Sequence, residues 1–273
     1  MNRTAELGQY PTPVWVAEAL VERYFAGLGA GDAVLEPSCG AGSFLGVIPP
    51  EVPALGVEID PVLAEQARRN TGRRVITGDF TRAEIDFRPT AVIGNPPFRT
   101  QLIDAFLERS HALLPEGGRV GFILPVYTFQ TASRVARYAS RWGMEQTLIP
   151  RNIYRGLQCP LCFAIFSKDR RRTLVGFALY RETVASHGLE ARYREAMEGT
   201  GRGSLWARVI DVALDELNGE GALADIYRVV EGRRPTDNPF WREQIRKVAR
   251  THFPRVGRGR YARRSQETLP LVA

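Results

Sequence analysis

The chain has 273 residues, 44% of them apolar and 25% charged, with a formal net charge of +7. Those proportions describe a soluble globular protein with room for one large and one smaller domain, and they exclude general disorder. No apolar run is long enough to span a bilayer, and Met1–Glu6 lacks a signal-peptide core. The three cysteines, Cys39, Cys159 and Cys162, do not suggest a disulfide framework, so a cytoplasmic location is expected.

The charge is unevenly placed. Residues 1–167 carry 16 Arg and 16 Asp+Glu, whereas residues 168–273 carry 21 Lys+Arg against 14 Asp+Glu. A neutral first part followed by a basic second part suggests a catalytic module joined to one that binds a polyanion.

In chain order, Gln9-Tyr10-Pro11-Thr12-Pro13 opens a first helix, with Thr12 as its expected N-cap and Pro13 as its first helical residue. The helix runs to about Phe25. Ala33-Val34-Leu35 then reads as a short buried strand ending in Glu36-Pro37-Ser38-Cys39-Gly40-Ala41-Gly42-Ser43-Phe44. A strand, a small-residue loop with Gly40 and Gly42, and a helix start together bring backbone N–H groups close to a ligand. The spacing is not the G-x-G-x-x-G of dinucleotide enzymes, and no Gly-Lys-Ser/Thr follows.

A second strand, Ala54–Glu58, ends in an acid roughly 20 residues past the glycines, where a ribose diol can be taken. Ile59 and Asp60 follow, and a helix starts at Pro61. A third strand, Arg74–Thr77, leads to Gly78-Asp79-Phe80. The fourth, Ala91-Val92-Ile93-Gly94, stops at Asn95-Pro96-Pro97-Phe98. Two prolines cannot continue a strand ladder, so this segment leaves the sheet as a stiff turn at a carboxyl end, where open α/β sheets place ligands. An amide, a backbone carbonyl and an aromatic face can together hold a flat, amine-bearing ring.

A helix over 101–114, a strand over Val120–Leu124, a helix over 129–141 and strands near 144–149 and 160–167 complete a doubly wound α/β pattern. Residues 173–180 offer one more strand, and 185–203 reads as a polar, Gly-bearing stretch. Three helices follow at Leu205–Leu217, Leu223–Val230 and Phe240–Arg250. Then comes a basic hairpin from Phe253 to Tyr261. That succession reads as a winged helix-turn-helix. The expected domains are 1–168, catalytic; 169–204, connector; and 205–273, DNA-recognising.

With these motifs in order, the chain resembles the class I S-adenosylmethionine-dependent DNA amino-methyltransferases, over residues 9–167. The resemblance implies a seven-stranded Rossmann-like domain, S-adenosyl-L-methionine as cofactor, and double-stranded DNA as partner. It implies a catalytic quartet of Asn95, Pro96, Pro97 and Phe98. It further implies cofactor contacts from Tyr10, Thr12, Glu36, Ser38, Gly40, Gly42, Phe44, Glu58, Ile59, Asp79, Phe80 and Asn95. Residues 222–262 look like winged-helix segments of restriction-modification proteins. A cognate restriction endonuclease and a nucleoid-associated location go with that likeness.

In the implied chemistry, Asn95 and the Pro96 carbonyl accept the two N–H hydrogens of an exocyclic amine, while Phe98 stacks on the extruded base. Asn rather than Ser opening the motif favours adenine N6 over cytosine N4. The alternatives are RNA or protein-glutamine methylation, and a DNA-binding regulator with an inactive core. Cys159 and Cys162 are read as core residues in an apolar strand, and Cys39 as a small loop residue, so no covalent intermediate and no metal site are expected. Arg246, Arg250, Arg255, Arg258 and Arg260 are expected along DNA, with Arg242, Arg263 and Arg264 adding to the same basic run.

Overall fold

A computed structural model of the chain describes residues 10–154, 156–198, 204–234 and 238–263. The expectations placed on Gln9 and Arg264 lie outside the described residues. The chain divides into two compact units between Ala178 and Leu179.

The first unit contains α1 (Val14–Tyr24), β1 (Val34–Glu36), β2 (Ala54–Glu58), α2 (Pro61–Thr71), β3 (Arg74–Thr77) and β4 (Ala91–Gly94). It continues with α3 (Thr100–Leu113), β5 (Arg119–Pro125), α4 (Ala132–Ala139), β6 (Gly143–Ile149), β7 (Leu161–Ser167) and β8 (Leu174–Val175). The strands form one sheet in the order β3-β2-β1-β4-β5-β7-β6-β8. The ladders are parallel except where β7 runs antiparallel to β5 and β6. Seven strands match the expected domain; β8, two residues long, adds an eighth at the edge beyond β6.

All four residues of β4 are buried, which explains their unbroken apolar run in a sheet covered on both faces. The order reverses between β1 and β4, paired at Val34–Ala91 and Leu35–Val92, so the switch point lies there. Glu36 and Asn95 stand at its two carboxyl ends.

Four local expectations differ from the structure. The helix start expected after the glycine loop is a run of turns, with no helix among the described residues between β1 and β2. Thr12 does not cap α1: no side chain caps that helix, and the Pro13 carbonyl accepts from Val16 and Ala17 instead. Its hydroxyl is committed across the site, as shown below. Residues 126–129 form a separate turn of 3-10 helix before α4, which starts later than its pattern suggests. Cys159 lies in the loop before β7 rather than in the strand, while Cys162 is within it and buried.

The second unit holds α5 (Tyr180–His187), α6 (Ala191–Glu198), α7 (Leu205–Glu216), β9 (Glu220–Ala222), α8 (Leu223–Val230), α9 (Trp241–His252), β10 (Arg255–Gly257) and β11 (Arg260–Ala262). The stretch 169–204 is thus divided between the units, and its later part carries α5 and α6. Tyr193 explains this: a single aromatic in a polar run, it is wholly buried in the core with Trp206, Ile210, Leu214, Ile226 and Ile245. The strands form a small antiparallel sheet in the order β10-β11-β9. On α9, Trp241, Ile245, Val248 and Ala249 are buried, whereas Arg242, Arg246, Lys247 and Arg250 are exposed.

Candidate functional site

A cavity of about 560 Å³ opens at the carboxyl ends of β1 to β4. Of the residues expected at a cofactor or catalytic site, Tyr10, Thr12, Glu36, Ser38, Gly40, Glu58, Ile59, Asp79, Phe80, Asn95 and Pro97 line it. Gly42, Phe44, Pro96 and Phe98 do not. Phe44 is a core residue, 1% exposed. Gly42 faces α2, with φ +93° and space for a Cβ only 2.6 Å from Thr71 Cγ2. Its glycine serves close packing of the loop on that helix. Pro96 is buried, and the Phe98 ring is stacked on Tyr10 with centroids 5.6 Å apart.

The glycine loop is held by carboxylates from below. Glu58 is 3% exposed; its Oε2 accepts the Gly40 N–H at 2.7 Å and its Oε1 the Asp60 N–H at 2.9 Å. Glu36, equally buried, accepts the Leu45 N–H at 2.7 Å. Burial raises the Glu36 carboxyl well above its ordinary value, and the neighbouring Glu58 charge adds to the rise. Asp79 accepts the N–H and the O–H of Thr81, both at 2.8 Å and both on Oδ1. Asp60 caps α2 through bonds from Val62 and Leu63, which places the half-open apolar rim of Ile59 and Val62.

Asn95 is fixed from several directions. Its Nδ2 donates to the Tyr10 carbonyl at 2.8 Å and lies 3.2 Å from Thr12 Oγ1 and 3.3 Å from the Tyr154 hydroxyl. The Tyr10 carbonyl can only accept, which assigns nitrogen to that side of the amide. Oδ1 is buried and has no hydrogen-bond partner among the described residues. The Ser38 hydroxyl donates to the Asn95 carbonyl at 3.2 Å, tying the glycine loop to the turn after β4. The Tyr127 hydroxyl donates to the Phe98 carbonyl at 2.6 Å.

Sequence reasoning missed Leu102 and Phe106, which reach the cavity from α3, and Tyr154, which touches Asn95. The apolar face of α3 signals the first two. Tyr154 lies 59 residues from Asn95, and no local pattern signals that contact.

No family model matches the chain. The type II methyltransferase M.CvrRI of Paramecium bursaria Chlorella virus XZ-6E is 38% identical over 71 residues, 25% of this chain and 19% of that protein. A tRNA (guanine(10)-N2)-dimethyltransferase of Methanothermobacter thermautotrophicus is 30% identical over 121 residues, 37% of this chain and 35% of that one. The chain therefore spans about a fifth and about a third of the length of these curated relatives. Among solved structures, a Listeria monocytogenes protein assigned to the class I S-adenosylmethionine-dependent methyltransferases superposes with a TM-score of 0.51 at 16% identity, over 62% of this chain and 65% of its own. The first unit has the class I methyltransferase fold.

Within this methyltransferase fold Cys39 lines the cavity, whereas Cys159 and Cys162 do not. Burial raises all three thiols, Cys162 to about 12. Among the described residues no cluster of three or more His, Cys, Asp or Glu side chains is placed to hold a metal ion. No helix among them is long and apolar enough to cross a membrane.

In the second unit Arg246, Arg250, Arg255, Arg258 and Arg260 are all exposed. Arg260 is neutralised by Glu220 at 2.9 Å, and Arg242 by Glu231 at 3.2 Å. Arg263 pairs with Asp211 and Asp215. The basic run from Arg242 to Arg263 therefore overstates the basic surface, because β9, α7 and the residue after α8 bring acids to it. Arg246, Arg250 and Arg258 make no ion pair among the described residues.

Proposed function

We propose that the chain is an S-adenosylmethionine-dependent amino-methyltransferase acting on the N6 amine of an adenine flipped out of double-stranded DNA. The observation that carries this reading is the buried Oδ1 of Asn95, without a hydrogen-bond partner among the described residues, on a side chain that lines a cavity roomy enough for a nucleoside. The same observation supports the fit of the cofactor. A glycine loop, the acids Glu36, Glu58 and Asp79, the exposed Ile59 and the buried Phe80 line the same cavity. Tyr10, Thr12, Ser38 and Gly40 would hold the cofactor's amino-acid part, Glu58 its ribose, and Asp79 with Ile59 and Phe80 its adenine. When bound, S-adenosylmethionine supplies a sulfonium-activated methyl group.

The protein's own task is to prepare the amine. The lone pair of an exocyclic amine is delocalised into the ring, which makes the nitrogen a poor nucleophile. Asn95 Oδ1 accepts one N–H, and the Pro96 carbonyl, followed by a residue without N–H, accepts the other. Both bonds favour a tetrahedral nitrogen with its lone pair localised. No covalent enzyme–base intermediate is needed. In this reading Phe98, which is stacked on Tyr10 and does not itself line the cavity, stacks on the base and offsets part of the cost of unstacking, a few kcal/mol.

DNA as the substrate is supported by the second unit. Its α7-β9-α8-α9-β10-β11 succession supports the winged-helix reading, and cations without an ion pair among the described residues lie on α9 and the hairpin. Cytoplasmic action on the nucleoid, beside a cognate restriction endonuclease, accords with the likeness to a type II methyltransferase. A second reading, methylation of an amine in RNA, is favoured by the match to a tRNA dimethyltransferase, which covers more of the chain. Incubation with labelled cofactor and either duplex DNA or tRNA, then digestion and mass identification of the nucleoside, separates the two. N6-methyladenine in DNA is the expected product. Asn95→Ala should abolish transfer while the cofactor still binds. Replacing all three cysteines by Ala or Ser should leave transfer within about tenfold of the parent. Label in tRNA alone would overturn the DNA reading.

A further inference from the structure

Tyr154 reaches the catalytic turn from the connection between β6 and β7, a segment with no cofactor motif. It is 4% exposed, and Thr12 is 8% exposed. The two hydroxyls share a hydrogen bond of 3.0 Å, and each also lies within reach of Asn95 Nδ2. The Tyr154 ring meets Tyr10 edge-on, with centroids 6.0 Å apart.

An amide nitrogen carries two hydrogens. One goes to the Tyr10 carbonyl, leaving the second to the hydroxyl pair. Whichever hydroxyl donates to the other keeps a lone pair for the amide. Burial pushes the Tyr154 phenol up to about 12, so it stays neutral and can both donate and accept. The terminal torsion of an asparagine is otherwise broad, so its partners decide where Oδ1 points.

We infer that Tyr154, acting with Thr12, is a positioning residue that locks the rotation of the Asn95 amide and keeps Oδ1 turned to the substrate amine. This rests on the reading of Asn95 as the acceptor of that amine. Because the Tyr10 carbonyl still holds one hydrogen, loss of the phenol loosens the amide without freeing it.

The test is Tyr154→Phe, which keeps the ring and removes the hydroxyl. The Asn95 side-chain NH₂ is assigned in nitrogen-15-labelled protein by its disappearance in Asn95→Ala. In Tyr154→Phe its hydrogen exchange should quicken by roughly three- to tenfold, the equivalent of one ordinary hydrogen bond. The kcat for methyl transfer should fall by a similar factor, with KM for the cofactor within about twofold. Unchanged exchange overturns the inference, as does faster exchange with unchanged kcat. The exchange measurement needs no substrate. A parent protein that methylates no nucleic acid thus defeats the proposed function, while exchange still decides whether Tyr154 holds the amide.

Discussion

Glu58 holds Gly40 across 18 residues of sequence, its Oε2 accepting the glycine N–H at 2.7 Å. The acid proposed to bind a ribose therefore also shapes the glycine loop proposed to meet the rest of the cofactor. Its other oxygen, bonded to the Asp60 N–H, orders the start of α2. Glu58→Ala removes both supports and should weaken S-adenosylmethionine binding by about 1–3 kcal/mol, the worth of charge-assisted hydrogen bonds. Glu58→Gln, which keeps one acceptor oxygen, should fall between. Calorimetry on the folded variants measures this, and an unchanged affinity in Glu58→Ala would remove Glu58 from the site.

Gly42 was expected to touch the cofactor; the structure turns it to α2. At φ +93° an added Cβ would stand 2.6 Å from Thr71 Cγ2. Gly42→Ala should cost about 1–3 kcal/mol of stability, part backbone strain and part overpacking. Thr71→Ser removes the clashing methyl and keeps the hydroxyl that bonds the Ala67 carbonyl at 2.7 Å. In the double variant the packing share should return and the backbone share persist. Urea unfolding of the four proteins checks this. Full recovery, or none, would show that only one of the two causes acts.

The positions that could be read in advance share a physical property: they depend on near neighbours in sequence. The apolar run 91–94 announces a doubly covered strand, two prolines end it, and acids at the ends of β1 and β2 follow from strand lengths. Phe44 fails this test. It follows the loop at the spacing of a ligand contact, yet its ring enters the core, a choice made by the packing of α1 and the sheet. Thr12 carries the local signature of an N-cap, but Asn95 and Tyr154, 83 and 142 residues away, claim its hydroxyl. A buried hydroxyl pair is worth more than one exposed cap, and tertiary structure overrides the local preference. Arg260 and Arg263 show the same limit, since their partners arrive from β9 and α7.

Glu36 supplies a pH dependence. Its carboxyl is raised by burial, with the Glu58 charge adding to the effect, so the folded chain holds a proton that the unfolded chain releases near 4.5. Stability therefore falls as pH rises from that value through the folded-state pKa, because the folded state binds more protons over the window. Glu36→Gln keeps an acceptor for the Leu45 N–H and carries no charge. Relative to the parent, it should gain stability as pH rises. Urea midpoints at pH 4.5 and pH 8 measure the difference. A difference between the two proteins that does not change with pH would mean that Glu36 is ionised throughout.

The basic face of the second unit separates cations by their partners. Arg246, Arg250 and Arg258 are exposed and lack an ion pair among the described residues, whereas Arg260 already sits 2.9 Å from Glu220. A free guanidinium that meets a phosphate releases a condensed counterion, and each such contact adds about one unit to the slope of log affinity against log salt. Replacing Arg246, Arg250 and Arg258 by Ala should therefore weaken duplex binding and flatten that slope by about three units. Arg260→Ala combined with Glu220→Ala removes a neutral pair and should leave the slope nearly unchanged, since an exposed pair contributes little by itself. Cofactor affinity, which the proposed site assigns to the first unit, should be the same in both variants. Fluorescence anisotropy with a labelled duplex across a salt series reads all three quantities. If the triple variant binds and methylates duplex DNA like the parent at every salt concentration, the second unit does not hold DNA through this face.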